Sequence, residues 1–193
     1  MTSPLFSLFS DPGRQGAAPE GKFTACWQSP SNIALVKYWG KRDDQMPVNP
    51  SLSMTLEKAV SLTLLEAKAG EAKKGLVEVN GDPQHPFIPK MQQLIGKLFP
   101  GIPSLGNFSF RATTSNTFPH STGIASSASG LSAFTLCLLD IACQSMNLEI
   151  PLPEWKQVAS FASRLGSGSA CRSIYGGFAV WGRSAAVPGF CGG

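Results

Sequence analysis

Between Arg111 and Asp140 the chain runs for 28 residues without an Asp, Glu, Lys or Arg. No other feature constrains the fold as strongly. The first half of the stretch is rich in Ser, Thr and Gly. In the second half Ile124, Ala128, Leu131, Phe134, Leu138 and Ile141 follow three- and four-residue steps, the period of one helix face. Its Ser, Thr and Gly make this a poor membrane span, which needs ~20 predominantly apolar residues. It reads instead as an unusually uncharged helix of a globular domain, and nothing in the sequence is expected to cross a membrane.

The remaining elements follow from shorter patterns. Residues 23–27 predict a short first strand, which Ser29-Pro30-Ser31-Asn32 breaks before the apolar run Ile33-Ala34-Leu35-Val36. Leu52, Met54 and Leu56 alternate with Ser51, Ser53 and Thr55, and Val60, Leu62 and Leu64 repeat the pattern, as half-buried strands do. Residues 76–79 form another strand before the turn signal Asn80-Gly81. Pro89 opens a helix carrying Met91, Leu94, Ile95 and Leu98. Phe108, Phe110 and Ala112 mark a strand, residues 153–164 a helix with Trp155, Val158 and Phe161 on one face, and residues 174–181 a last strand-like segment. Strands first and helices later, with antiparallel pairing, give an α+β class. Residues 1–21, with Pro4, Pro12, Gly13, Gly16 and Pro19, read as a flexible arm, 22–182 as one domain, and 183–193 as an atypical tail.

Composition narrows the function classes. Charged residues are 15% of the chain, below the ~25% of ordinary soluble domains, and the net charge is only +4. That charge is scattered, which suits a protein handling small anions and argues against nucleic acid. The five cysteines show no CxxC and no zinc spacing, so reduced thiols in the cytoplasm and no protein-built metal site are expected.

Two segments carry the chemistry. The first is Phe118-Pro119-His120-Ser121-Thr122-Gly123-Ile124-Ala125-Ser126-Ser127-Ala128-Ser129-Gly130. A helix N-terminus offers unpaired N–H groups and the positive end of the dipole. Small residues let a phosphate approach, hydroxyls add donors, and no acidic side chain repels it. This is neither a Walker loop nor a GxGxxG fingerprint. A hydrolase triad is disfavoured, since no GxSxG occurs and His85 and His120 are the only histidines. The second is Gly166-Ser167-Gly168-Ser169-Ala170-Cys171-Arg172-Ser173. Its glycines let amides converge, and Arg172 can grip a carboxylate or phosphate through two N–H bonds. With Lys37 and Lys41 at the end of the apolar run, these loops favour a diphosphate or polyphosphorylated ligand.

Pro119-x-x-x-Gly123-x-x-Ser126-Ser127-Ala128 resembles the phosphate loop of the small-molecule kinase superfamily that includes galactokinase, homoserine kinase, mevalonate kinase and phosphomevalonate kinase. Three blocks narrow the resemblance to the diphosphomevalonate decarboxylase family. They are residues 32–43 (Asn-Ile-Ala-Leu-Val-Lys-Tyr-Trp-Gly-Lys-Arg-Asp), residues 123–130, and Gly168-Ser169-Ala170-Cys171-Arg172-Ser173 with Tyr175-Gly176-Gly177-Phe178. The resemblance implies a fold like ribosomal protein S5 domain 2, the N-terminal domain of that superfamily. It also implies ATP and Mg²⁺ as cofactors, 5-diphosphomevalonate as substrate, and a homodimer in the intact family member.

The resemblance assigns roles as well. Lys37 and Arg172 are the catalytic residues. Asn32, Tyr38, Trp39, Gly40, Lys41, Ser167, Gly168, Ser169, Ala170, Cys171 and Arg172 bind substrate. Gly123, Ala125, Ser126, Ser127 and Ala128 hold the ATP phosphates. A further family arginine falls at Lys90, where the charge is kept and the bidentate fork is lost. The aspartate of the family lies in a later block, and after Trp181 the sequence no longer resembles the family. The C-terminal domain is therefore expected to be absent, and this chain alone is expected not to decarboxylate. Alternatives are a branch acting on monophosphomevalonate or on mevalonate (a phosphomevalonate decarboxylase or a mevalonate 3-kinase) and a catalytically incomplete anion-binding fragment. An RNA-binding module, which the S5-type fold raises, is disfavoured by the sparse basic residues.

Overall fold

One long strand organises the molecule. In the computed structural model, which describes residues 4–9, 20–70, 75–119 and 123–182, β2 (Ser51–Ala69) pairs antiparallel along one edge with β1 (Lys22–Val36). Its other edge is shared. β5 (Phe178–Trp181) pairs with the first residues of β2, and β4 (Phe108–Asn116) pairs with the stretch from Ser61 to Ala69. β3 (Gly75–Val79) closes the sheet beside β4, and this last pair is parallel. The expectation of antiparallel pairing fails there for a physical reason. The helix α1 (Ile88–Leu98) stands between the two strands, and a helical crossover returns the chain in the same direction. Asn80 and Gly81 do turn the chain, with φ of 53° and 75°, but into that crossover and not into a hairpin.

The break expected at Ser29-Pro30-Ser31-Asn32 is a bulge inside one continuous strand. Pro30 lies opposite Val60 while Ser31 lies opposite Leu56, so β2 gains extra residues there. Proline lacks an N–H to give a ladder, and bulges and edge strands such as β1 are where sheets accommodate it.

The helices α1, α2 (Ser126–Met146) and α3 (Leu152–Gly166) cover the sheet face that carries Ala25, Leu65, Ala67, Phe110 and Ala112. The pattern expected for α1 holds, since Met91, Leu94, Ile95 and Leu98 are all buried. α2 is long and apolar enough to cross a membrane by length and composition, but most of it is buried inside the fold. The Trp27 indole donates to Asp140 Oδ2 at 2.8 Å and ties α2 to β1.

Two expectations are corrected. The arm is not free over Pro4–Phe9. This segment is a 3-10 turn whose Phe6 and Phe9 belong to the core, and Phe6 meets Phe161 of α3 edge-on at 5.3 Å. Apolar side chains outweigh the Pro and Gly signals there. Residues 10–19 and 183–193, and His120, lie outside the described residues. The second correction concerns the start of β2. Ser51 and Ser53 point inward and are each 1% exposed, while Met54 of the apolar set lies on the open face. Polar partners are waiting inside for those hydroxyls, so burial follows hydrogen bonding and not hydropathy.

Phe9→Ala should destabilise the fold by roughly 3–5 kcal/mol, the cost of emptying a buried aromatic site. It should appear as a lower urea midpoint at unchanged slope. An unchanged midpoint would remove the N-terminal turn from the core.

Candidate functional site

β1 and a buried 3-10 turn, Gly168–Ile174, build the first half of the site. The turn follows α3 directly and lies under the sheet. Asn32, 2% exposed on β1, donates from Nδ2 to Ser173 Oγ at 2.8 Å, and its Oδ1 has no partner. The Ser29 hydroxyl donates to the Ser173 carbonyl at 3.0 Å.

Arg172 is 4% exposed. Its Nη1 donates to Ser51 Oγ at 2.7 Å, and that hydroxyl donates onward to the Val36 carbonyl at 2.7 Å. The guanidinium carbon lies 5.6 Å from the centre of the Trp181 ring. Nε is buried without a partner, and among the described residues no carboxylate pairs with this cation. Burial lowers its pKa, while Cys171 and Tyr38 oppose the shift. A buried guanidinium without a carboxylate is a receptor for an anion.

The loop after β1 brings the other cations. Tyr38 meets Trp181 edge-on at 4.7 Å, and Lys41 Nζ stands 5.6 Å from the Tyr38 ring while donating to Gln45 Oε1 at 2.8 Å. The Asn49 side chain stitches the loop, accepting from Trp39 N at 2.7 Å and donating to the Lys37 carbonyl at 3.3 Å. Lys37, Trp39 and Gly40 are exposed. Lys90 on α1 is half-buried. Burial first, and then the Lys41 charge, lower its pKa.

Within the 3-10 turn the Ser167 and Ser169 hydroxyls lie 3.4 Å apart, and Ala170 and Cys171 are buried. The glycines of this segment have a different reason from the one expected. A Cβ on Gly168 would stand 2.5 Å from Trp181 Cη2, and one on Gly166 would stand 3.0 Å from Leu94 Cδ2. They are bare so that neighbours can pack, not only so that amides can converge.

The second half is the start of α2. Gly123 has φ 79° and Ala125 sits in the left-handed region at φ 45°, and among the described residues no side chain caps the helix. Ser126 and Ser127 are half-buried there, and Ala128 is buried. The Ser31 hydroxyl donates to the Ile124 carbonyl, tying this turn to the strand that carries Asn32. Beside it opens a shallow cleft whose lining includes Asn80, His85, Phe87, Thr114, Asn116 and Ser126. Among the described residues no cluster of His, Cys, Asp or Glu could hold a metal ion.

Several of these residues escaped sequence reasoning. Ser51 and Trp181 contact Arg172, and Asn80, His85, Phe87, Thr114 and Asn116 line the cleft. Only long-range pairing brings them in. The one local signal was the alternation of Ser51, Ser53 and Thr55 at the start of β2.

Cys26, Cys137, Cys143 and Cys171 are free thiols. Desolvation pushes Cys137, Cys143 and Cys171 up to about 12, which leaves almost no thiolate to react near neutrality. At pH 8 iodoacetamide should modify exposed Cys26 and spare these three until the chain is unfolded. Native-state labelling of Cys171, read by peptide mass spectrometry, would contradict the buried turn.

A family model described as the diphosphomevalonate decarboxylase-like N-terminal domain matches residues 29–188. Diphosphomevalonate decarboxylase of Eremothecium gossypii is 33% identical over 180 residues, which is 86% of this chain and 43% of the relative. The mevalonate diphosphate decarboxylase structure from Enterococcus faecalis superposes with a TM-score of 0.67 at 31% identity, over 84% of this chain and 48% of that one. A structure of MDDEF in complex with MVAPP, AMPPCP and magnesium gives 0.68 at 31% identity, over 84% and 47%. The chain spans less than half the length of the curated relatives it matches. The matched region takes in every strand and helix from the bulge of β1 to β5, and by that match the chain belongs to the diphosphomevalonate decarboxylase family, to the part that forms its N-terminal domain.

Proposed function

We propose that this chain carries the phosphate- and carboxylate-binding half of an ATP-dependent decarboxylase of 5-diphosphomevalonate. One observation carries the reading. Arg172 is buried on the 3-10 turn whose Ser173 hydroxyl accepts from Asn32, and no described carboxylate neutralises it. A substrate with a carboxylate at one end and a diphosphate at the other supplies the missing charge. The names of the relatives and the ligands of the related structure support the diphosphorylated substrate over its monophosphorylated or unphosphorylated counterparts.

The residues divide the work. Arg172 holds the carboxylate and Asn32 orients the substrate, with Ser167, Gly168, Ser169, Ala170 and Cys171 shaping the wall. Tyr38, Trp39, Gly40, Lys41 and Lys90 form the cationic side for the diphosphate, and Lys37 stands near the 3-hydroxyl. The start of α2, over Gly123, Ala125, Ser126, Ser127 and Ala128, fits a nucleotide's phosphates, and the cleft beside it would take the nucleoside. When bound, magnesium would neutralise charge on those phosphates, with Ser126 and Ser127 as hard oxygen donors of this chain.

In this reaction the tertiary 3-hydroxyl gives its proton to a base, which the family carries in a later block, and its oxygen takes the γ-phosphoryl group as the bond to ADP breaks. Phosphate then leaves with the C–O electron pair, and the C–C bond to the carboxylate supplies the pair that forms the alkene as carbon dioxide departs. Isopentenyl diphosphate, ADP and phosphate result. The chain's contribution is positioning and charge neutralisation, which dominate phosphoryl transfer. The intact family member is read as a cytoplasmic homodimer acting on a small molecule, not on nucleic acid or a membrane. The free thiols support a reducing compartment.

Titration calorimetry of the chain with mevalonate diphosphate tests the reading. Arg172→Lys removes the bidentate fork and should weaken binding tenfold or more, about 2 kcal/mol for a charge-assisted pair, with ATP binding unchanged. Equal affinity of the wild-type and Arg172→Lys chains for mevalonate diphosphate would remove Arg172 from the site.

A further inference from the structure

Three elements of the candidate substrate site meet on one ring that none of the motifs includes. Trp181 ends β5 and is 2% exposed. The Arg172 guanidinium carbon lies 5.6 Å from its ring centre. Tyr38 packs edge-on against it at 4.7 Å and 77°. Gly168 approaches so closely that a Cβ there would stand 2.5 Å from Cη2 and 2.7 Å from Cζ2. These partners come from the loop after β1 and from both ends of the buried 3-10 turn.

The indole Nε1 has no hydrogen-bond partner, so packing alone sets the ring's place. Ser51 anchors the guanidinium at Nη1. A second constraint is needed to fix the plane in which the remaining N–H groups point, and the ring beside it supplies one. An arginine recognises a carboxylate through two parallel bonds only when that plane is fixed. Gly168 is the complementary feature, because any side chain there would displace the indole.

We propose that Trp181 is a positioning residue for substrate recognition: its ring holds the Arg172 guanidinium and the Tyr38 ring in register, so that one substrate meets both. This role rests on the functional reading above.

The test uses the whole chain with mevalonate diphosphate and, separately, ATP in titration calorimetry. Trp181→Leu should weaken mevalonate diphosphate binding tenfold or more and leave ATP binding within about twofold. Trp181→Phe keeps a ring and should restore binding to within about threefold. Gly168→Ala should weaken binding of the same ligand in the wild-type background and do far less in Trp181→Phe, where the clashing part of the indole is gone. A second readout needs no ligand. The Arg172 Nε–Hε resonance of the ¹⁵N-labelled chain should shift and broaden in Trp181→Leu and return toward its native position in Trp181→Phe.

Equal loss of both ligands would make Trp181 a core residue and overturn the proposal. So would wild-type binding in Trp181→Leu, or an Arg172 resonance indifferent to the ring. A wild-type chain that binds no mevalonate diphosphate would instead overturn the functional reading, and the Arg172 resonance would still report whether the ring orients the guanidinium.

Discussion

A guanidinium held out of water with no carboxylate beside it sets the terms for the rest of this structure. Removing such an ion from water costs several kcal/mol even after relaxation. The hydrogen bond from Arg172 to Ser51 returns about 1.5–3 kcal/mol, and a desolvated contact with the Trp181 ring about 2. These contacts are of the same order as that cost, while burial still lowers the Arg172 pKa. A buried cation with no carboxylate beside it is stabilised further by any anion that reaches it. That is why its surroundings point to a ligand and not to a structural ion pair.

Much of the architecture follows from placing that cation. β2 must be long enough to hold β1 on one edge and both β4 and β5 on the other, because Ser51 at its start and Trp181 on β5 are the two supports of Arg172. The bulge at Pro30 lets β1 continue far enough to carry Asn32 over the 3-10 turn. The Ser31 hydroxyl then reaches Ile124, so the strand that carries Asn32 is bonded to the turn before α2. α2, whose one charged side chain is Asp140, packs deeply behind both, with its N-terminus following the turn at Ile124.

The helices were legible because their signals are local. Met91, Leu94, Ile95 and Leu98 share a face by spacing alone, and all are buried. The turn before α2 and the 3-10 turn after α3 were legible as turns, since glycine and serine cluster there within a few residues of each other. What escaped was decided by distant partners. Pro30 looked like an end because its bulge depends on residues of β2. Ser51 and Ser53 looked solvent-facing because their acceptors are the carbonyls of Val36 and Ala179. Phe6 and Phe9 looked like part of an arm because their contacts lie on α3 and around Gly101. Trp181 looked like the end of an ordinary strand until the 3-10 turn folded against it.

The central claim is that Arg172 and Asn32 form one anion-reading layer while the start of α2 forms another. Chemical-shift mapping of the ¹⁵N-labelled chain tests it most directly. Mevalonate diphosphate should move the Asn32 side-chain amide and the Arg172 Nε–Hε signal together along one saturating curve. ATP should move the backbone amides of residues 123–128 with those of Asn80 and His85. Shifts from mevalonate diphosphate confined to exposed lysines, with Asn32 and Arg172 unmoved at saturation, would contradict the account.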